Sequence, residues 1–379
     1  MISSIYKSLP NHQKCSKKYA SKFNNVEDLF LSKLKEDKNK KLLFFPEEQM
    51  NFSYHEFYNE YKKISKIFIS KKFKKKDKVA IVFYNQSKFL TIYFAALSLG
   101  LIVVPINPDL SFVEIDYIVK NSQSKICIFT DQLSYKIKKK QKYISSKKFL
   151  KNNVRHNVKE ISNLKKISSV KLNDIAIIIY TSGTTGNPKG VVINHLNILS
   201  DAYAISKNFK FNSSTRALCI LPLFHNNGQI ATFFAPLYKG GSSVITFGKA
   251  NIYNFWNYIN EFKITWTSVM TSILSILLSL KIEKKNSSLK GILCGGQILT
   301  NEVRQNFEKR FKVPVFEGYG LTETTSFSCI NNFPKSKRTI GSIGKALVVN
   351  DMKIFDPETF KEKKTNEEGE LCIRGYNVA

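Results

Sequence analysis

The run Tyr180-Thr181-Ser182-Gly183-Thr184-Thr185-Gly186-Asn187-Pro188-Lys189-Gly190 follows directly on the apolar stretch 175–179. Its glycines let backbone N–H groups converge on an anion. The hydroxyls of Thr181, Ser182, Thr184 and Thr185 add donors suited to phosphate oxygens. Lys189 supplies a mobile positive charge. The run is not a Walker A loop, because Gly186 is followed by Asn-Pro-Lys-Gly instead of Gly-Lys-Ser/Thr. A bare surface loop would need none of these donors, so the expected chemistry is capture of a phosphate chain.

Such a loop needs a rigid frame. Ser53 with Glu56, then Phe57, Tyr61, Ile64 and Phe68, spell a capping box and one helical face. Residues 78–83, 101–104 and 126–129 are short β-rich runs with helical patterns between them, and Ser111 with Glu114 repeats the capping box. Alternating strands and helices predict a parallel sheet with helices on its faces. The pattern restarts at 174–179 and continues through 216–221, 243–247, 255–262 and 289–294. Thr300 then caps a helix with Val303, Phe307 and Phe311 on one face. From Gly341, turn residues punctuate short strands with no helix between them. The predicted fold is α/β: two similar subdomains with largely parallel sheets flanked by helices, plus the start of a small β-barrel-like lobe. The predicted division is 1–165, 166–340 and 341–379.

The chain has 379 residues and 43% hydrophobic residues, which excludes global disorder. Its six cysteines are scattered without a C-x-x-C, which argues for reduced thiols and a cytoplasmic protein. The net charge of +30 comes mostly from dispersed Lys among abundant Asn, Ile, Phe and Tyr. It reads as solvated surface, and aromatics do not interleave the Lys runs as nucleic-acid stacking would require. The densest run, 136–151, reads as an exposed connector. No export signal is visible at the N-terminus. The uncharged stretches 90–106 and 264–280 fall short of a membrane span, so no transmembrane segment is expected.

The 181–190 run resembles the signature of the adenylate-forming superfamily, which includes acyl-CoA synthetases. Phe316-Glu317-Gly318-Tyr319-Gly320-Leu321-Thr322-Glu323-Thr324 resembles its second strong motif. Gly295-Gly296-Gln297-Ile298-Leu299 and 369–375 resemble two more, and 52–57 and 100–106 match weaker ones, all in the family order. The resemblance covers about 30–379 and implies the N-terminal domain of such an enzyme, of the acyl-CoA synthetase type. It implies that a small-molecule or fatty carboxylic acid attacks the α-phosphorus of ATP with Mg²⁺, and that the acyl group then passes to coenzyme A. By the same resemblance, Thr181, Ser182, Gly183, Thr184, Thr185, Gly186 and Lys189 hold the β- and γ-phosphates. Thr322 meets the α-phosphate and Glu323 holds Mg²⁺. Tyr319 lies against adenine, with Gly295, Gly296, Glu317, Gly318 and Gly320 around the base.

In the family, 221–228 borders the acyl pocket. His225 is read as gating or orienting the carboxylate, or as a structural histidine. No acid occurs between Arg216 and Lys239 to pair a substrate amine, which argues against an α-amino acid. Phe233, Phe234, Trp266 and Met270 read as core more than as pocket, and His195 as a structural helix-start residue. The chain ends at Tyr376-Asn377-Val378-Ala379. That is before the Thr-Gly-Asp, hinge and late Lys that the resemblance implies, so the sequence reads as an N-terminal portion with slow adenylation and little thioester formation. The alternatives are a ligase that loads an acyl carrier protein and a non-catalytic nucleotide-binding remnant.

Overall fold

The computed structural model describes residues 22–137, 141–151, 170–181, 186–247, 249–281 and 288–379. Helix α1 (Val26–Glu36) starts at Asn25, whose side chain accepts from the Asp28 N–H. Strands β1 (Lys41–Phe45) and β2 (Met50–Ser53) form a hairpin. Ser53 then starts α2 (Tyr54–Ser70) through the expected capping box, and Phe57, Tyr61, Ile64 and Phe68 are buried on its inner face. Next come β3 (Lys78–Val82), α3 (Ser87–Ser98), β4 (Ile102–Ile106), α4 (Phe112–Asn121) and β5 (Ile126–Phe129). Ser111 and Glu114 form the second capping box, at the start of α4.

Strand β6 (Tyr143–Ser145) and helix α5 (Ser146–Leu150) correct the reading of 136–151 as a bare connector. Ser145 caps α5, and Phe149 is buried against Phe68 with ring centroids 5.1 Å apart. One large aromatic anchors a segment whose lysines stay outside; Lys138, Lys139 and Lys140 lie outside the described residues.

The chain continues through β7 (Ile175–Thr181), β8 (Lys189–Asn194), α6 (His195–Asn208) and β9 (Arg216–Cys219). Helix α7 (Asn226–Gln229) passes through a π-helical turn, Ile230–Phe234, into α8 (Ala235–Tyr238). Then come β10 (Ser242–Ile245), α9 (Phe255–Glu261), β11 (Trp266–Val269), α10 (Thr271–Ser279) and β12 (Gly291–Cys294). Helix α11 (Asn301–Phe311), capped by Thr300 as expected, leads to β13 (Val315–Tyr319), β14 (Cys329–Ile330) and β15 (Lys345–Ala346). Strands β16 (Asn350–Phe355) and β17 (Glu370–Gly375) close the chain as an antiparallel ribbon, with no closed barrel among the described residues.

Two sheets result. One has six strands in the order β6-β5-β3-β4-β7-β8; the other has nine, in the order β15-β14-β13-β12-β11-β9-β10-β1-β2. Neighbours from β6 to β7 and from β13 to β1 pair in parallel, and the flanking strands pair antiparallel. Each sheet draws on both parts of the sequence: β7 and β8 complete the first sheet, while β1 and β2 sit at the edge of the second.

The helices between the sheets carry an aromatic core. The rings of Phe30, Phe57, Tyr61 and Phe94 lie 5.0 to 5.7 Å apart. Burying each such side chain stabilises the fold by about 2 kcal/mol. Polar clamps add direction: Asn85, just past β3, donates to Leu221 O at 2.9 Å and accepts from Leu223 N–H at 2.7 Å. That clamp fixes the loop just ahead of His225. No helix among the described residues is long and apolar enough to cross a membrane.

Candidate nucleotide and acyl site

Strands β11, β12 and β13 run side by side, Val269 beside Cys294 and Cys294 beside Glu317. The residues after them, Met270, Gly295-Gly296 and Gly320, therefore emerge together at the carboxyl edge of the sheet. Open α/β sheets bind ligands in crevices at that edge. A cavity of about 330 Å³ lies there, and His225, Gly295, Gly296, Gly320 and Thr322 all line it. Met270 lines it too while also packing against the hydrophobic core. Phe233 and Phe234 are fully buried, and Trp266 packs on Phe209 at 4.4 Å.

The Thr322–Thr324 turn is a single 3-10 turn. Thr324 Oγ1 accepts from the Leu321 N–H at 2.9 Å, and Asn226 Nδ2 donates to Thr322 O at 3.3 Å. Gly320 allows the chain to double back here, since a Cβ would meet Ser326 O at 1.8 Å. Glu323 is exposed beside the cavity. His225 is an exposed residue at the N-terminal end of α7, its ring centroid 4.5 Å from that of Phe224.

Strand β8 reaches the same turn. Lys189 opens β8 opposite Thr181, and β8 packs against the Thr322–Thr324 turn. Lys189 is exposed. Gly186 has φ +96° and nothing within 4 Å of where a Cβ would stand, so its backbone faces open space. Ser182, Gly183, Thr184 and Thr185 lie outside the described residues.

Thr181, Gly186, Lys189, Glu317, Gly318 and Tyr319 do not line the 330 Å³ cavity itself. Gly318 and Tyr319 pair with Ile330 and Cys329 in β14. Glu317 is half-buried in β13; burial pushes its carboxyl above the usual range, against a hydrogen bond from the Leu299 N–H. Among the described residues no group of three or more His, Cys, Asp or Glu could hold a metal ion. A cation here would rest on Glu323 and on oxygens brought by a ligand, which suits Mg²⁺ on phosphates.

Asn226 and Asn227, within the 221–228 segment, also line the cavity; sequence reasoning missed Ser326 and Phe327, which line it too. The adjacency of these two to the Thr322–Glu323 pair was the available signal. The Asn226 and Asn227 Oδ1 atoms are buried without a partner among the described residues.

These features define an α/β protein with a crevice at the carboxyl edge of its larger sheet. The AMP-binding enzyme family matches residues 31–379, and the chain belongs to that family. It is 28% identical over 310 residues to a peroxisomal OPC-8:0-CoA ligase of Arabidopsis thaliana, covering 78% of this chain and 57% of that protein. It is 30% identical over 333 residues to a 2-succinylbenzoate–CoA ligase of Bacillus pumilus, covering 87% and 66%. The chain thus spans between half and two thirds of the length of these relatives. An anthranilate CoA ligase in complex with anthranoyl-AMP shares the fold, with a TM-score of 0.84 at 21% identity over 96% of this chain and 71% of that one.

Proposed function

We propose that this chain carries the adenylate-forming half of an acid–CoA ligase. A carboxylate oxygen attacks the α-phosphorus of ATP, pyrophosphate leaves, and a mixed acyl–AMP anhydride forms. The sulfur of coenzyme A then attacks the acyl carbonyl, and AMP leaves. The observation that carries the reading is the meeting of Gly295-Gly296, Gly320, Thr322 and His225 on one cavity with β8 packed beside the same turn.

The roles carry over from the motif resemblance, and the charge and chemistry of the side chains support them. The 181–189 loop and Lys189 neutralise the β- and γ-phosphates. Thr322 offers a hydroxyl to the α-phosphate, and His225 orients the acid's carboxylate. Gly295, Gly296, Glu317, Gly318 and Tyr319 surround the base. Mg²⁺, held by Glu323 and the phosphates, would withdraw charge from the phosphate oxygens. Preorganised charge of this kind supplies most of the acceleration in phosphoryl chemistry.

The acyl group is uncharged on this reading, because no Lys, Arg, Asp or Glu is among the described residues that line the cavity. An ammonium or second carboxylate buried there would lack a counter-charge. The reading takes the cytoplasm as compartment, on the scattered thiols of the sequence.

Acid-dependent ATP–pyrophosphate exchange tests the proposal, run with neutral acyl and aryl acids beside α-amino and dicarboxylic acids. Exchange with neutral acids alone is expected. MgATP binding without exchange for any acid would favour a non-catalytic remnant and overturn the reading.

A further inference from the structure

Directly behind the Thr322–Thr324 turn lies a buried polar network that the roles above leave unused. Thr325 has φ +66° and ψ −60° and is fully buried. A β-branched residue takes a positive φ only when its surroundings enforce it. The Ser326 N–H reaches back to Thr324 O at 2.8 Å and closes a γ-turn.

The enforcement is visible in hydrogen bonds. Thr325 Oγ1 donates to Asn377 O at 2.6 Å, and Asn377 Nδ2 donates to Phe327 O at 2.9 Å. The Phe327 N–H donates to Asp201 Oδ2 at 3.2 Å. The Ala379 N–H donates to Glu323 O at 2.8 Å. Asn197 Nδ2 holds the same stretch, donating to Tyr376 O at 2.8 Å and Val378 O at 2.9 Å. Asn197 and Asp201 both stand on α6, which begins where β8 ends, and β8 begins at Lys189. One helix face thus grips the 376–379 stretch and the strained turn together.

Asp201 and Asn377 are fully buried. Burial raises the Asp201 carboxyl well above its usual range, although the Phe327 and Ser326 N–H groups and the Asn377 side chain all act on it. An apolar side chain would fill the same space without that desolvation cost. Strained backbone and costly buried acids gather where a site needs fixed geometry.

We propose that Asp201, Thr325 and Asn377 are positioning residues that hold Thr322 and Glu323 toward the same triphosphate as the Lys189 strand. None of them would touch the nucleotide. The proposal rests on the nucleotide reading above.

Calorimetric titration with MgATP and with adenosine tests it on the 379-residue protein. Thr325→Val, Asn377→Ala and Asp201→Ala should each weaken MgATP by about tenfold, as loss of a buried hydrogen bond implies. Adenosine lacks phosphates, so its affinity should stay within about twofold. Asp201→Asn keeps an acceptor for the Phe327 N–H and should restore MgATP binding. Unchanged MgATP affinity in Thr325→Val and Asn377→Ala would overturn the proposal. So would an equal loss for MgATP and adenosine, which marks general damage to the fold. Should Asp201→Ala not fold, Thr325→Val decides the question, being near-isosteric and short of only one hydroxyl. Wild-type protein that binds no MgATP removes the nucleotide reading itself, a failure visible before any variant is made.

Discussion

At the scale of single residues, the candidate site divides by how each side chain is held. Lys189 and Glu323 are both exposed and opposite in charge, and β8, which begins at Lys189, packs against the turn that holds Glu323. Neither has to be there for the fold. Lys189→Ala and Glu323→Ala should therefore leave thermal unfolding nearly unchanged while each cuts pyrophosphate exchange by about tenfold or more. Excess Mg²⁺ should partly rescue the Glu323 variant alone, since only that variant loses the proposed metal ligand. Near-normal exchange in both would overturn the assigned roles. These residues were singled out in the sequence because such chemistry fixes residue type and order over a few positions. Asp201 and Thr325 were not, because a mid-helix acid and the second of two adjacent threonines carry no local signal. Only the return of Asn377 and Phe327 to their side gives them meaning.

At the scale of elements, local rules sufficed wherever the cause was local. Ser53 with Glu56 and Ser111 with Glu114 start their helices as read, because a capping box closes within three residues. The β1–β2 hairpin resisted the same reasoning. Its pairing with β10 joins residues about two hundred apart, Leu43 beside Ser243, and no local pattern encodes that. Strand β13, which leads into the Thr322 turn, depends on another long-range device. Glu308 accepts from the Val315 N–H at 2.7 Å and from Arg338, with Lys335 at 3.3 Å and Arg304 at 3.6 Å. Burial pushes its carboxyl up, yet the Arg338 guanidinium and the Val315 N–H hold it below the usual range. Arg338→Leu would leave that carboxylate short of its best partner. Breaking such a pair typically costs about 3–5 kcal/mol, so about 2–3 kcal/mol is expected with Lys335 and Arg304 remaining. Urea unfolding should show a lower midpoint at unchanged slope. An unshifted midpoint would mean that β13 is held by sheet pairing alone.

At the scale of the whole molecule, one histidine couples α1, the first helix among the described residues, to α6, the helix that follows β8. The Val26 N–H of α1 donates to His195 Nδ1 at 3.4 Å, across 169 positions of sequence. The sequence marks His195 only as a helix-start residue; its reach to α1 needed the packed fold. Burial lowers its pKa from the ordinary 6.5 to about 4, against a pull upward from Asp174. The sign follows from proton counting. Between about pH 4 and 6.5 the unfolded chain binds a proton that the folded His195 refuses, so its contribution is complete above 6.5 and drains away as pH falls toward 4. A shift of that size is worth about 3 kcal/mol. Asp201 acts in the opposite direction, because its carboxyl is raised and ionises less readily in the folded protein. Comparison with His195→Asn cancels that term, since Asp201 is present in both proteins, and the Asn oxygen replaces the acceptor for Val26. The variant should be less stable than wild type near neutral pH, through lost ring packing. The wild-type advantage should then shrink by about 3 kcal/mol between pH 6.5 and 4 in urea titrations. Parallel stability curves across that window would mean that His195 takes up its proton without opening the contact between α1 and α6, and the two helices would not be coupled through this ring.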